Sequence, residues 1–123
     1  MTTEAVYTVL SSYTNLTNLV STRIYAILMP QDATRPALTF QRIARDRVNN
    51  LSDAGGNGVV RDRYRFIAWG ETLDGVQDIA DQVRLALKNA STLESVPLFE
   101  ADEFESDTKL YSVVSDFSIW YNY

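Results

Sequence analysis

The sequence predicts a single α+β domain, residues 1–123, built on a mainly antiparallel sheet of four to five strands with two helices packed on one face. Three observations carry this. Apolar residues recur at three-and-four spacing in two stretches, 3–13 and 73–87, as on the buried side of a helix. Longer stretches alternate apolar and polar residues, as in strands with one face buried. Two of these flank a segment rich in glycine and asparagine, which reads as a long β-hairpin.

A chain of 123 residues is the size of one domain and can bury a core without metals or disulfides. Its hydrophobic fraction of 46% and charged fraction of 22% are those of a globular chain.

Residues 3–13 are expected to be helical, capped by Thr2 or Thr3, with Val6, Val9, Leu10 and Tyr13 on one side. Leu16, Leu19 and Val20 suggest a second short turn. Arg23 to Met29 reads as a strand ended by Pro30, and residues 30–36, with Pro30 and Pro36, as a connector. Ala37–Val48 and Val59–Trp69 read as the hairpin strands. The loop between them contains Asn50, Leu51, Asp53, Gly55, Gly56 and Gly58, has almost nothing apolar to bury, and is expected to be a flexible assembly loop.

Gly70 breaks the second hairpin strand. Thr72 can cap a helix whose stripe is Leu73, Val76, Ile79, Ala80, Val83, Ala86 and Leu87, with Asp74 and Lys88 at the ends the helix dipole favours. Core packing accounts for this stripe. Leu93–Phe104 reads as a strand interrupted by Pro97, hence an edge. Lys109–Tyr121 reads as the final strand, with Tyr111, Val113, Phe117 and Ile119 on one face and Val114 and Trp120 on the other.

The residue inventory argues against catalysis. There is no histidine and no cysteine, so the commonest general base, the commonest nitrogen ligand and any thiolate are missing. No serine sits in a nucleophile elbow. Gly55-Gly56-Asn57-Gly58 lacks the Lys-Ser/Thr of a phosphate-binding loop and precedes a strand instead of a helix. Glu100, Asp102, Glu103, Glu105 and Asp107 form an acidic stretch without the calcium-loop pattern; it reads as a solvated edge and turn or as a partner surface. No enzyme activity, cofactor or metal is expected. No apolar run approaches membrane-spanning length, and Met1-Thr2-Thr3-Glu4 lacks the positive charge of a secretory signal, so a soluble protein made in the cytoplasm is expected.

The net charge is -5, unevenly spread: Arg42, Arg45, Arg47, Arg61, Arg63 and Arg65 hold six of the eleven basic residues. If Leu38 and Phe40 share the core with Tyr64 and Phe66, then Arg61, Arg63 and Arg65 point to the opposite face, and so do Arg45 and Arg47 unless a bulge intervenes. Simple alternation leaves Asp46 and Asp62 on the wrong side to balance them. Clustered arginines therefore suggest a counter-charge elsewhere. Ile67, Trp69, Val114 and Trp120 fall on the same face, a composition enriched at interfaces. The alternative is a second covering layer, such as the first helix, that buries the tryptophans. Nucleic acid suits an acidic chain poorly. Glu100, Asp102 and Glu103 of a neighbouring copy suit the arginines better, and such head-to-tail contacts close into rings.

The order of elements resembles the tail terminator, or tail completion, proteins of long-tailed bacteriophages. The residues that carry the resemblance are Arg23-Ile24-Tyr25, Met29-Pro30-Gln31-Asp32-Ala33 and Arg35-Pro36-Ala37-Leu38-Thr39-Phe40-Gln41, with the later helix and closing strand pair. The resemblance implies a structural virion protein, assembled in the host cytoplasm, that caps the head-proximal end of the tail tube as a homo-oligomeric ring, usually a hexamer. Such a ring stops tube polymerisation and joins tail to head. Its implied partners are the tail tube protein and the head-tail connector, with DNA passing through the lumen without specific binding and no membrane contact. Another neck component, such as a head-tail adaptor, or a non-viral α+β ligand- or peptide-binding module, is the alternative. A domain of this length is roughly 35 Å across. Six in a ring leave a hole of about the same width, wider than a DNA duplex.

Overall fold

The structure, a computed structural model, describes residues 2–30, 34–48, 59–91 and 93–122. In chain order the elements are α1 (Thr2–Ser12), α2 (Thr14–Val20), β1 (Ile24–Ala26), β2 (Ala37–Val48), β3 (Val59–Gly70), α3 (Leu73–Lys88), β4 (Glu94–Glu105) and β5 (Leu110–Asn122). The strands form one sheet in the order β1-β2-β3-β5-β4. Every pairing is antiparallel except β1 with β2, which is parallel. The architecture is the expected α+β fold. The short turn after α1 is a helix in its own right, so three helices cover the sheet.

Side-chain alternation positions the core. Leu38, Phe40, Tyr64, Phe66, Val113, Phe117 and Ile119 point to one side and are buried under the helices. There they meet Val6 and Leu10 of α1, Leu16 and Val20 of α2, and Val76, Ile79, Val83 and Leu87 of α3. Phe66 lies at the centre. Its ring is 6.3 Å from Phe40, 6.2 Å from Tyr64 and 5.6 Å, edge-on, from Phe117. Tyr64 is fully buried, yet its hydroxyl is satisfied by Thr3 Oγ1 at 2.8 Å, which ties α1 to β3. Desolvation by burial raises the Tyr64 pKa, a shift that this hydrogen bond partly opposes.

α3 begins as the sequence predicts. The Gly75 N–H donates to Thr72 Oγ1 at 3.2 Å, with Asp74 in the first turn and Lys88 in the last. Its stripe is buried apart from Leu73, which at the first helical position stays 38% exposed. Gly70 is needed for close approach: a Cβ there would stand 2.9 Å from Val76 Cγ1.

Two expectations need correction, and one about an edge strand holds. The first strand is three residues long and does not run to Pro30. Ile27 takes a left-handed φ of 69° and turns the chain away, its N–H donating to Phe40 O at 2.8 Å. Pro97 does mark an edge strand, with a register shift between Pro97 and Phe99. The second correction concerns the arginines. The register of β2 against β3 shifts between Arg42 and Ala44, so Arg45 stands opposite Asp62, Asp46 opposite Arg61 and Arg47 opposite Val60. The extra residue, Ile43, turns positions 45 and 47 to the helix side of the sheet and Asp46 to the other.

Candidate assembly surfaces

The face of the sheet away from the helices is built from alternate residues of four strands. β2 contributes Thr39, Gln41, Ala44 and Asp46; β3 contributes Arg61, Arg63, Arg65, Ile67 and Trp69; β5 contributes Ser112, Val114, Asp116, Ser118 and Trp120. β4 adds Val96, Phe99, Ala101 and Glu103. α1 does not cover this face. It packs on the helix side, where Thr3 meets Tyr64 and Tyr7 stacks on Phe40 at 6.4 Å. Trp69 and Trp120 are partly exposed, and Phe99 and Val96 are 52% and 49% exposed.

The counter-charge for the arginines lies within the chain. Asp116, fully buried, accepts from Arg65 Nε at 2.9 Å and Nη2 at 3.1 Å, and from Arg63 Nη2 at 2.9 Å. One carboxylate thereby holds two neighbouring guanidiniums that otherwise repel each other. Arg61 reaches Asp46 at 2.7 Å, and its guanidinium lies 5.5 Å from the centre of the Trp120 ring. Trp69 Nε1 donates to Thr39 Oγ1 at 3.2 Å. On the helix side, Arg45 grips Asp62 with two bonds of 2.6 and 2.7 Å; Asp62 is fully buried and Arg45 is 20% exposed.

Sequence reasoning therefore placed Arg61, Arg63, Arg65, Trp69 and Trp120 on one face correctly, and the bulge that it allowed for takes Arg45 off that face; the Arg47 side chain lies outside the described ones. It missed Asp116, whose signal is an acid inside the apolar run Val113-Val114-Ser115-Asp116-Phe117. Glu100 and Asp102 fall on the helix side of β4, opposite Ser115 and Val113, and Glu103 on the other, opposite Ser112. Ser115 Oγ donates to Glu100 Oε1 at 3.3 Å, and Gln77 Nε2 donates to Asp102 Oδ2 at 2.9 Å. These acids border a cleft of about 210 Å³ with Gln77 and Asp81. Among the described residues, no group of three or more His, Cys, Asp or Glu side chains is arranged to hold a metal ion. The expected assembly loop, with Asn50, Leu51, Asp53, Gly55, Gly56 and Gly58, lies outside the described residues.

The hydrogen bond from Arg65 holds the Asp116 carboxyl below its ordinary value of 3.8, against the opposing effect of burial and with further help from Arg63. A depressed carboxylate pKa stabilises the fold above the unfolded value, and that stabilisation is lost as pH falls through the lowered folded value. The wild-type urea midpoint is therefore expected to fall on acidification below about pH 4. Asp116→Asn should be less stable at pH 7 and show a flatter acid limb. Parallel acid limbs for the two proteins would contradict this role.

The family model described as tail completion protein gp17 matches residues 4–122. Among solved structures, a chain from the "Virion of native gene transfer agent (GTA) particle" has 15% identity and a TM-score of 0.70, over 96% of this chain and 92% of that one. At that identity the likeness concerns the fold. No curated protein matches in sequence.

Proposed function

The chain belongs to the tail completion protein gp17 family, a family of structural phage tail proteins, and we propose that it closes the head-proximal end of the tail tube as a homo-oligomeric ring. In this reading the ring is a hexamer, stops tube polymerisation and offers a docking face to the head connector. The family match over residues 4–122 carries the proposal. The sheet supports it. Its outer face presents half-exposed Arg61, Arg63 and Arg65 beside Trp69, Trp120 and Phe99, and no helix covers them among the described residues.

Asp46 and Asp116 set the three arginines in place before any partner arrives, which lowers the ordering cost of binding. Trp69, Trp120 and the arginines then suit a contact with the tube or connector, and Glu100, Asp102 and Glu103 suit a contact with a basic surface. Arg45 belongs with the helix-side rim of β2, and Arg47, two residues on in the same strand, is assigned to the same contact. The net charge of -5 favours a lumen through which DNA slides without sticking. The protein acts by binding alone, without cofactor or catalysis.

Phage assembled without this chain should accumulate DNA-filled heads and separate tails, the tubes of irregular or excess length. Supplying the chain in trans should restore joined particles. Tails of normal length attached to heads in its absence would sink the proposal.

A further inference from the structure

Among the described residues, the two ends of the sheet are both open, and they are chemically unlike. β4 is the last strand on one side. On the other side β1 pairs only with Leu38, Thr39 and Phe40 of β2. Residues 41–48 of β2 therefore have a strand on the β3 side only, among the described residues. Exposed along β4 are Val96 (49%), Leu98 (50%), Phe99 (52%) and Phe104 (53%). From Phe99 to Glu105, past Pro97 and its register shift, the pairing of β4 is regular, and the outer backbone groups of such an edge are a template for another strand.

We propose that successive copies join edge to edge, β4 of one against residues 41–48 of the next, so that the five-stranded sheets continue through the assembly. The inference rests on the ring reading and names the surface that builds the ring. Charge decides the occupant. β4 carries Glu94, Glu100, Asp102, Glu103 and Glu105. Pairing β4 with β4 about a twofold axis sets acids against acids, which is destabilising. The open half of β2 carries Arg42, Arg45 and Arg47 with the acid Asp46; Arg45 is already held by Asp62 and Asp46 by Arg61, so Arg42 and Arg47 are the charges assigned to the neighbour.

The faces also agree. Strand directions alternate from β2 through β3 and β5 to β4, so this junction is antiparallel in a sheet whose helix sides coincide. The register puts Arg42, Arg45 and position 47 on the helix side of β2, and Glu100 and Asp102 on the helix side of β4. On the opposite side Phe99 and Ala101 meet a rim containing Ala44. A junction of two different edges leaves one of each free at the ends of an open chain, and a ring is the closed form.

The test uses paired charge reversals that leave the Arg45–Asp62 pair intact. Glu100→Lys with Asp102→Lys makes the helix side of both edges basic; Arg42→Glu with Arg47→Glu makes the helix side of both acidic. By analytical ultracentrifugation, each variant alone should lose at least ~10-fold in association, and the equimolar mixture should recover the wild-type mass. Thermal melts confirm that the variants fold, and the milder pair Glu100→Gln with Asp102→Asn should weaken association and blunt its salt dependence. Oligomers that ignore the reversals, or a mixture that stops at dimers, would overturn the edge junction and leave the ring reading standing. A wild-type chain that forms no oligomer, either alone or on tail ends, would overturn both.

Discussion

Phe66→Ala is expected to destabilise the domain by about 3–5 kcal/mol, the range for deleting a buried aromatic ring. Phe66 is 1% exposed and touches three other rings, from β2, its own strand and β5. Phe40, Tyr64 and Phe117 are held by paired strands and cannot easily collapse into the space. Domains of this size have about 5–15 kcal/mol in total, so the variant should melt roughly 10–20 °C lower. Phe66→Leu should lose distinctly less, because it fills most of the volume. Calorimetry or urea titration reads both. A loss under about 1 kcal/mol for the alanine variant would mean that Phe66 does not centre the core.

Arg45→Met is expected to cost about 3–5 kcal/mol as well, for a different reason. Asp62 has no exposed side-chain surface, and Arg45 supplies it with two short hydrogen bonds. Removing the arginine strands a buried carboxylate far from water. Adding Asp62→Leu to Arg45→Met should give back much of the loss, because a buried ion pair contributes little beyond what apolar packing provides. A double-mutant cycle in urea measures this directly. If the double variant is as unstable as the sum of the two single variants, the pair is not coupled and the bulge at Ile43 has a different role.

The bulge also shows where the sequence stopped being legible. α3 was readable because its apolar stripe repeats over four turns and Thr72 caps it. Leu38, Phe40, Tyr64 and Phe66 were readable because strand alternation leaves no freedom once one of them is assigned to the core. The inserted residue at Ile43 leaves no mark in composition, yet it moves Arg45 across the sheet to Asp62. Asp116 was hidden for another reason. Its partnership with Arg63 and Arg65 depends on β5 lying beside β3, and strand order is a long-range property that no local window contains. The parallel pairing of β1 escaped similarly, since three residues, Ile24–Ala26, carry no signal of direction.

What the sequence did carry was the kind of protein. The chain lacks histidine and cysteine, the commonest catalytic and metal-ligating groups, and the match over residues 4–122 agrees with the resemblance carried by Arg23-Ile24-Tyr25 and the Pro36–Gln41 segment. The structure changed which surfaces matter. The arginines of β3 are largely balanced within the chain. The edges left with one neighbouring strand among the described residues are β4, with its acids and apolar side chains, and residues 41–48 of β2.

The central claim, a ring at the head-proximal end of the tail, is tested most directly by electron cryo-microscopy of the head–tail junction in intact particles. The account predicts a single closed ring of this fold between tube and connector, with neighbouring copies in contact around the circumference. Density for this fold along the tube, at the distal tip, or as isolated copies outside the tail axis would contradict it.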